Sequence, residues 1–124
     1  MKITRNLYLD RLVARMHNGM VKVVTGIRRS GKSYLLFNIF ADYLKSRGVD
    51  SGHIITVDLE DRHNKELRNP DALMAYIDAR IADEHIHYEL LDEVQLVDEF
   101  EDVLNSYLKK DNVDIYATGS NSRF

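Results

Sequence analysis

Val21-Lys22-Val23-Val24-Thr25-Gly26-Ile27-Arg28-Arg29-Ser30-Gly31-Lys32-Ser33-Tyr34-Leu35-Leu36 is the stretch that decides the fold. Residues 21–25 are β-branched apart from Lys22, and a glycine follows, so they read as a strand. From Leu35 the apolar residues Leu36, Ile39, Phe40, Tyr43 and Leu44 fall on one helical stripe, which ends near Gly48. Between strand and helix stands G-x-x-x-x-G-K-S. A polyphosphate can be neutralised there by backbone N–H groups curled around it, without bulky side chains. Gly26 and Gly31 permit the tight turn, and the helix N-terminus adds its positive dipole end. Lys32 reaches toward the β- and γ-phosphates, and the Ser33 hydroxyl offers a ligand to Mg²⁺. The binding segment is taken as Gly26, Ile27, Arg28, Arg29, Ser30, Gly31, Lys32, Ser33 and Tyr34. Arg28 and Arg29 occupy its variable part and read first as a solvated pair.

Outward from this stretch, helices and strands alternate. Leu9, Leu12, Val13 and Met16 lie at helical spacing before Gly19. Residues 53–58 (HIITVD) read as a second strand. Asn69-Pro70 sets a capping side chain before a proline at the first helical position, and Leu73, Ile77 and Ile81 continue that helix. Residues 86–91 read as a third strand running into Asp92-Glu93. A helix follows through Val97, Phe100, Val103, Leu104, Tyr107 and Leu108, with acids in its first turns and Lys109-Lys110 at its end. Residues 113–118 form the fourth strand. The pattern is a helix followed by βαβαβαβ, which predicts an α/β fold of three layers: a mostly parallel sheet with helices on both faces.

The chain has 124 residues, enough for one domain spanning 1–124. It is 44% hydrophobic and 30% charged, which excludes a disordered tail. Without cysteine it has neither a disulfide framework nor a thiolate metal site. Its apolar runs are far too short to span a bilayer, and its first residues lack the apolar core of a signal peptide, so a cytoplasmic protein without a membrane partner is expected. The net charge of −3 hides an asymmetry. Up to Arg47 there are ten Lys/Arg and two acids; from Gly48 onward, seven Lys/Arg and 18 acids. Either the two halves meet in the fold or the basic half meets an anion. With an acidic total, broad nucleic-acid binding by this chain alone is not expected.

Asp92 and Glu93 end the third strand. In a parallel α/β sheet, ligands bind outside the carboxyl ends of strands, so this pair shares an edge with the glycine-rich loop. Neighbouring residues face opposite sides of a strand, which lets the two acids take separate tasks: Asp92 holding Mg²⁺, Glu93 polarising a water as general base. The fourth strand ends in Thr118-Gly119-Ser120-Asn121, where a hydroxyl or amide either touches the γ-phosphate or simply builds a turn. Glu89, Lys22 and Asp114 interrupt otherwise apolar strands, and the expectation is that all three lie near the lower rim and compensate one another. His85 and His87, two apart, face one side; a metal pair needs further ligands and none is evident, so they read as polar residues at a strand start. His53 and His63 stand alone. Asn64-Lys65-Glu66-Leu67 begins like a guanine-reading N-K-x-D but lacks the acid, which favours ATP over GTP. Glu60-Asp61 reads as a solvated loop.

Taken together, GIRRSGKS, LLDE and TGSN resemble the phosphate loop, acidic Mg²⁺/water motif and first sensor of AAA+ ATPases, which share a P-loop NTPase core. More narrowly, RNLYLDRL, the double arginine, LDEVQLVDEFEDVLN and DIYATGSNSRF resemble prokaryotic AAA-type ATPases that carry an uncharacterised C-terminal domain. The resemblance implies ATP phosphates at residues 26–33, Mg²⁺ at Ser33 and Asp92, catalysis by Lys32 and Glu93, and γ-phosphate sensing at Ser120 or Asn121. It also implies a base pocket in the segment before the first strand, where Tyr8 and Arg11 are candidates. The family's fifth core strand beside the first, its trans-acting arginine and its helical lid have no counterpart, and Arg123 lies too close to the sensor to be that arginine. The expectation is therefore the N-terminal ATPase part of a longer protein, incomplete at its C-terminus, with homo-oligomers and a protein or DNA client reached through the further region. Two other activities fit a phosphate loop: a nucleotide-binding switch with negligible turnover, and a small-molecule kinase, whose acceptor pocket and arginine lid are not seen.

Overall fold

Four parallel strands carry the molecule: β1 (Lys22–Thr25), β2 (Ile54–Asp58), β3 (His87–Asp92) and β4 (Val113–Gly119), in spatial order β1-β4-β3-β2. The computed structural model describes residues 2–26 and 31–120. The register sets Lys22 and Leu90 on either side of Tyr116, and Asp58 level with Asp92. Helix α1 (Lys2–Ala14) precedes β1. After β1, α2 (Lys32–Tyr34) passes through a π-helical stretch, Leu35–Phe40, into α3 (Ala41–Ser46). Helices α4 (Pro70–Arg80) and α5 (Phe100–Leu108) precede β3 and β4.

Alternation along the strands builds two cores. On one face Leu12, Leu35, Leu36, Phe40 and Leu44 pack on Tyr88, Leu90 and Tyr116. On the other, Leu73, Ile77, Val103, Leu104 and Tyr107 pack on Ile55, Leu91, Ile115 and Ala117. Every residue of β3 is buried, as a central strand of a parallel sheet covered on both sides must be. The three-layer α/β reading is thus borne out. Among the described residues β1 pairs with β4 alone, and Val23 at this edge is exposed. No helix among them is long and apolar enough to cross a membrane.

Local signals act as expected at Asn69, whose side chain accepts the Ala72 N–H at 3.0 Å with Pro70 opening α4. They fail at Val97. It has the right helical phase, yet α5 begins only at Phe100, after Glu99 at φ 56°. The Asp98 N–H donates to the Arg68 carbonyl at 3.1 Å, so backbone bonding there serves another segment, while Val97 still enters the core. Residues Arg62–Arg68 form 3₁₀ turns, in which the Asn64 amide donates to the Asp58 carbonyl at 2.9 Å. That asparagine is a loop brace. The Asp61 carboxylate in turn accepts the His63 N–H at 3.0 Å to cap the turns.

The three charged strand residues do not form one cluster. Lys22 and Asp114 make a buried ion pair, with the Tyr116 hydroxyl donating to Asp114 at 2.5 Å and the His17 N–H at 3.0 Å. Asn18 accepts from Lys22 at 3.2 Å. Glu89 lies elsewhere, because its register partners Ile55 and Ile115 face the opposite core. It is fully buried, and neither carboxylate oxygen has a hydrogen-bond partner among the described residues. Burial first, and then the charge of Asp78, push its carboxyl up to about 8 against the pull of Lys110.

A carboxyl raised in this way holds its proton more tightly folded than unfolded. Its contribution is present below the ordinary value of 4.5 and is lost as pH rises through about 8. Glu89→Leu is expected to stabilise the protein by more at about pH 8.5 than at about pH 5, flattening the wild-type fall in stability, as read by urea unfolding at the two pH values.

Candidate active site

At the carboxyl end of β1 the chain reaches Gly26, and it enters α2 through Gly31 at φ 92°. A Cβ at Gly31 would meet nothing within 4 Å, so glycine is required by backbone conformation and not by space. The first residue of α2, Lys32, is buried. Its ammonium donates to Glu93 Oε2 at 3.2 Å and to Ser120 Oγ at 3.0 Å. One residue on, Ser33 Oγ donates to Asp92 Oδ2 at 2.8 Å. Tyr34 follows on an exposed position.

Asp92 is the last residue of β3 and continues the strand geometry. Glu93 has φ 55°, a left-handed turn that brings its carboxylate to the same edge. The two acids therefore serve different neighbours, though the backbone turn separates them and not strand alternation. Thr118 on β4 links both: its hydroxyl donates to Asp92 Oδ1 at 2.5 Å and accepts the Glu93 N–H at 2.9 Å. Ser120 Oγ lies 2.7 and 2.6 Å from the two Glu93 oxygens, and Gln95 Nε2 donates to Glu93 Oε1 at 2.7 Å.

These environments pull the two carboxyls apart. Burial is the largest influence on Asp92 and raises it above the ordinary carboxylate value, aided by Asp58 and Glu93, against the hydroxyls of Thr118 and Ser33. Burial is also the largest single influence on Glu93. There the Ser120 hydroxyl, the Gln95 amide and the Lys32 ammonium together outweigh it and hold the group low. The edge thus presents a buried cation, an ionised carboxylate and a pair of oxygen donors, Ser33 and Asp92. Two hard oxygens converging at 2.8 Å fit Mg²⁺, which takes few protein ligands and keeps its other positions for water and phosphate.

Of the residues singled out in the sequence, Lys32, Ser33, Asp92, Glu93 and Ser120 come together, with Gly26 and Gly31 at the turn. Ile27, Arg28, Arg29, Ser30, Asn121 and Arg123 lie outside the described residues. Thr118 and Gln95, which stand in the TGSN and LDEVQ segments without a role of their own in the sequence, join the residues that come together. A threonine on a strand is unremarkable by propensity, whereas Gln95 stands polar between Val94 and Leu96. Tyr8 and Arg11, 5.7 Å apart from ring centroid to guanidinium, line a groove of about 530 Å³ between α1 and the open edge of β1.

Residues 18–124 match the family model described as AAA domain. A Haemophilus influenzae protein described only as uncharacterized is 32% identical over 122 residues, covering 97% of this chain. The chain spans 30% of the length of that curated relative.

Thr118→Val keeps the shape of the side chain but strips Asp92 and the Glu93 N–H of their shared hydroxyl. It is expected to lower the free energy of unfolding by about 1–3 kcal/mol. Ser120→Ala, only partly buried, is expected to lower it by less, both read by urea denaturation.

Proposed function

This chain belongs to the AAA domain family, and on that premise we propose that it is an ATPase core: it binds ATP at the turn between β1 and α2 and hydrolyses it to ADP and phosphate. The observation that carries the reading is the convergence of Lys32, Ser33, Asp92, Glu93 and Ser120 at one sheet edge, over contacts of 2.6–3.2 Å. In this reading the glycine-rich segment 26–33 receives the phosphates. Lys32 exchanges its carboxylate and hydroxyl partners for phosphate oxygens and offsets the charge that develops on them. Ser33 and Asp92 are the residues that hold Mg²⁺. When bound, that ion supplies further neutralisation of phosphate charge.

Glu93 is the general base. Its low proton affinity keeps it ionised at neutral pH, and Gln95 and Ser120 fix its orientation toward an attacking water. Ser120, bonded to both Lys32 and Glu93, is placed to sense the γ-phosphate, a task that Asn121 shares in this reading. Tyr8 and Arg11 are the proposed neighbours of the base, because their groove runs beside β1 toward Thr25. The proposal extends to the whole protein: a cytoplasmic homo-oligomer in which hydrolysis drives movement of a further C-terminal region, and that region engages a protein or DNA client.

Calorimetry with a non-hydrolysable ATP analogue and Mg²⁺, followed by a phosphate-release assay, tests this. Lys32→Ala is expected to abolish measurable binding. Glu93→Gln is expected to keep binding while release falls about 10²–10⁴-fold. Undiminished release in Glu93→Gln removes that residue from catalysis. Binding without release by the wild type identifies a nucleotide switch instead.

A further inference from the structure

At the amino ends of β2 and β3, on the edge opposite the candidate active site, the fold gathers groups that are remote in sequence. His53 ends a 3₁₀ turn, Ser51–His53, just before β2. Asp83 lies between α4 and β3, and His87 is the first residue of β3. His53 Nε2 stands 2.8 Å from Asp83 Oδ2, and His87 Nε2 stands 3.9 Å from Asp83 Oδ1. One ligand atom from each of the three residues lies within 4.8 Å of the others. The imidazoles meet edge to face, with ring centroids 4.7 Å apart. His53, which reads as solitary in the sequence, thus supplies the partner that the histidines near residue 87 lack.

We propose that His53, Asp83 and His87 form a binding site for a divalent transition-metal ion of the zinc class. Two imidazole nitrogens and one carboxylate oxygen are a zinc-type donor set, whereas Mg²⁺ and Ca²⁺ favour oxygen alone. The state of His87 is already that of a ligand. Its Nδ1 lies 2.7 Å from the His85 carbonyl, which only accepts, so Nδ1 carries the hydrogen and Nε2 keeps its lone pair. A backbone carbonyl holding the far nitrogen of a ligating histidine is the usual outer support of a metal site. The Ala82 N–H donates to the same Nε2 at a long 3.3 Å, a weak bond that an incoming ion displaces.

His87 is fully buried and fixed, while the Asp83 side chain is 42% exposed and can turn. Donors about 2.0–2.1 Å from an ion lie about 3.3 Å apart in a tetrahedron. Rotation of Asp83 and the partly exposed His53 closes the remaining gap. Water completes the fourth position. The ion ties the start of β2 to the loop ahead of β3, and the site stands independently of any nucleotide chemistry at the other edge.

The test is zinc titration of the metal-stripped chain against a chromophoric chelator, with melting temperature as a second readout. Wild type is expected to take up one equivalent and to melt higher with Zn²⁺, reversibly on chelation. His53→Ala and Asp83→Ala, both at partly exposed positions, are expected to fold, to weaken that uptake at least about 100-fold and to lose the thermal shift. His63→Ala is the control: its Nδ1 sits 2.9 Å from Asp61 in a similar pair with no third ligand among the described residues, and it is expected to behave as wild type. Absence of tight uptake in the wild type, or equal uptake by His53→Ala and Asp83→Ala, overturns the site. So does equal damage from His63→Ala.

Discussion

Three elements of this chain meet on one buried carboxylate. Asp92 receives the Ser33 hydroxyl on one oxygen and the Thr118 hydroxyl on the other, which ties the helix after β1, the end of β3 and the end of β4 together. No cation touches Asp92 among the contacts described, so hydroxyls stabilise it, and burial still makes it hold a proton more readily than an exposed aspartate. The parallel register makes this possible. Strands running the same way end level, so residues far apart in sequence arrive at one edge. Lys32 and Glu93 then pair beside Asp92, and Ser120 bridges them.

The charge asymmetry of the sequence has a structural meaning. Among the described residues both buried lysines come from the basic first part of the chain, and both of their acidic partners come from the acidic remainder: Lys22 with Asp114, and Lys32 with Glu93. The two pairs sit on different levels of the sheet and differ in kind. Lys22–Asp114 is enclosed in a network with Asn18, Tyr116 and His17, which satisfies its hydrogen bonds and holds the turn after α1 to the sheet. Lys32–Glu93 lies at the edge where the proposed phosphates bind, so its partners can be exchanged. Breaking a buried pair on one side costs about 3–5 kcal/mol, which makes both pairs strong constraints on register. Glu89 follows neither pattern; its price in stability is set by protonation and not by a partner.

Most of the fold was legible because its signals are local or periodic. The stripe from Leu35 to Leu44, the Asn69 cap with Pro70, and the β-branched runs each report a geometry that the segment adopts within itself. Where a signal was misleading, backbone bonding to a distant segment had won. Val97 has the spacing of a helix, but Asp98 is committed to Arg68. The core of the candidate site was legible for a different reason: phosphate chemistry demands particular residue types at fixed spacing. Its supports were not. Thr118 and Gln95 matter through the atoms they face, and no spacing announces that.

The sequence by itself determined the alternation of strands and helices, the glycine-rich turn and the acidic strand end, because each rests on interactions between near neighbours. Only the tertiary structure decided which face a charged strand residue occupies. It sent Glu89 into one core and Lys22 with Asp114 to the other, since a shift of one position along a strand reverses the side. It also decided that His53 stands beside Asp83 and His87. That meeting across 34 residues follows from the pairing of β2 with β3, a relation between strands that neither strand encodes alone.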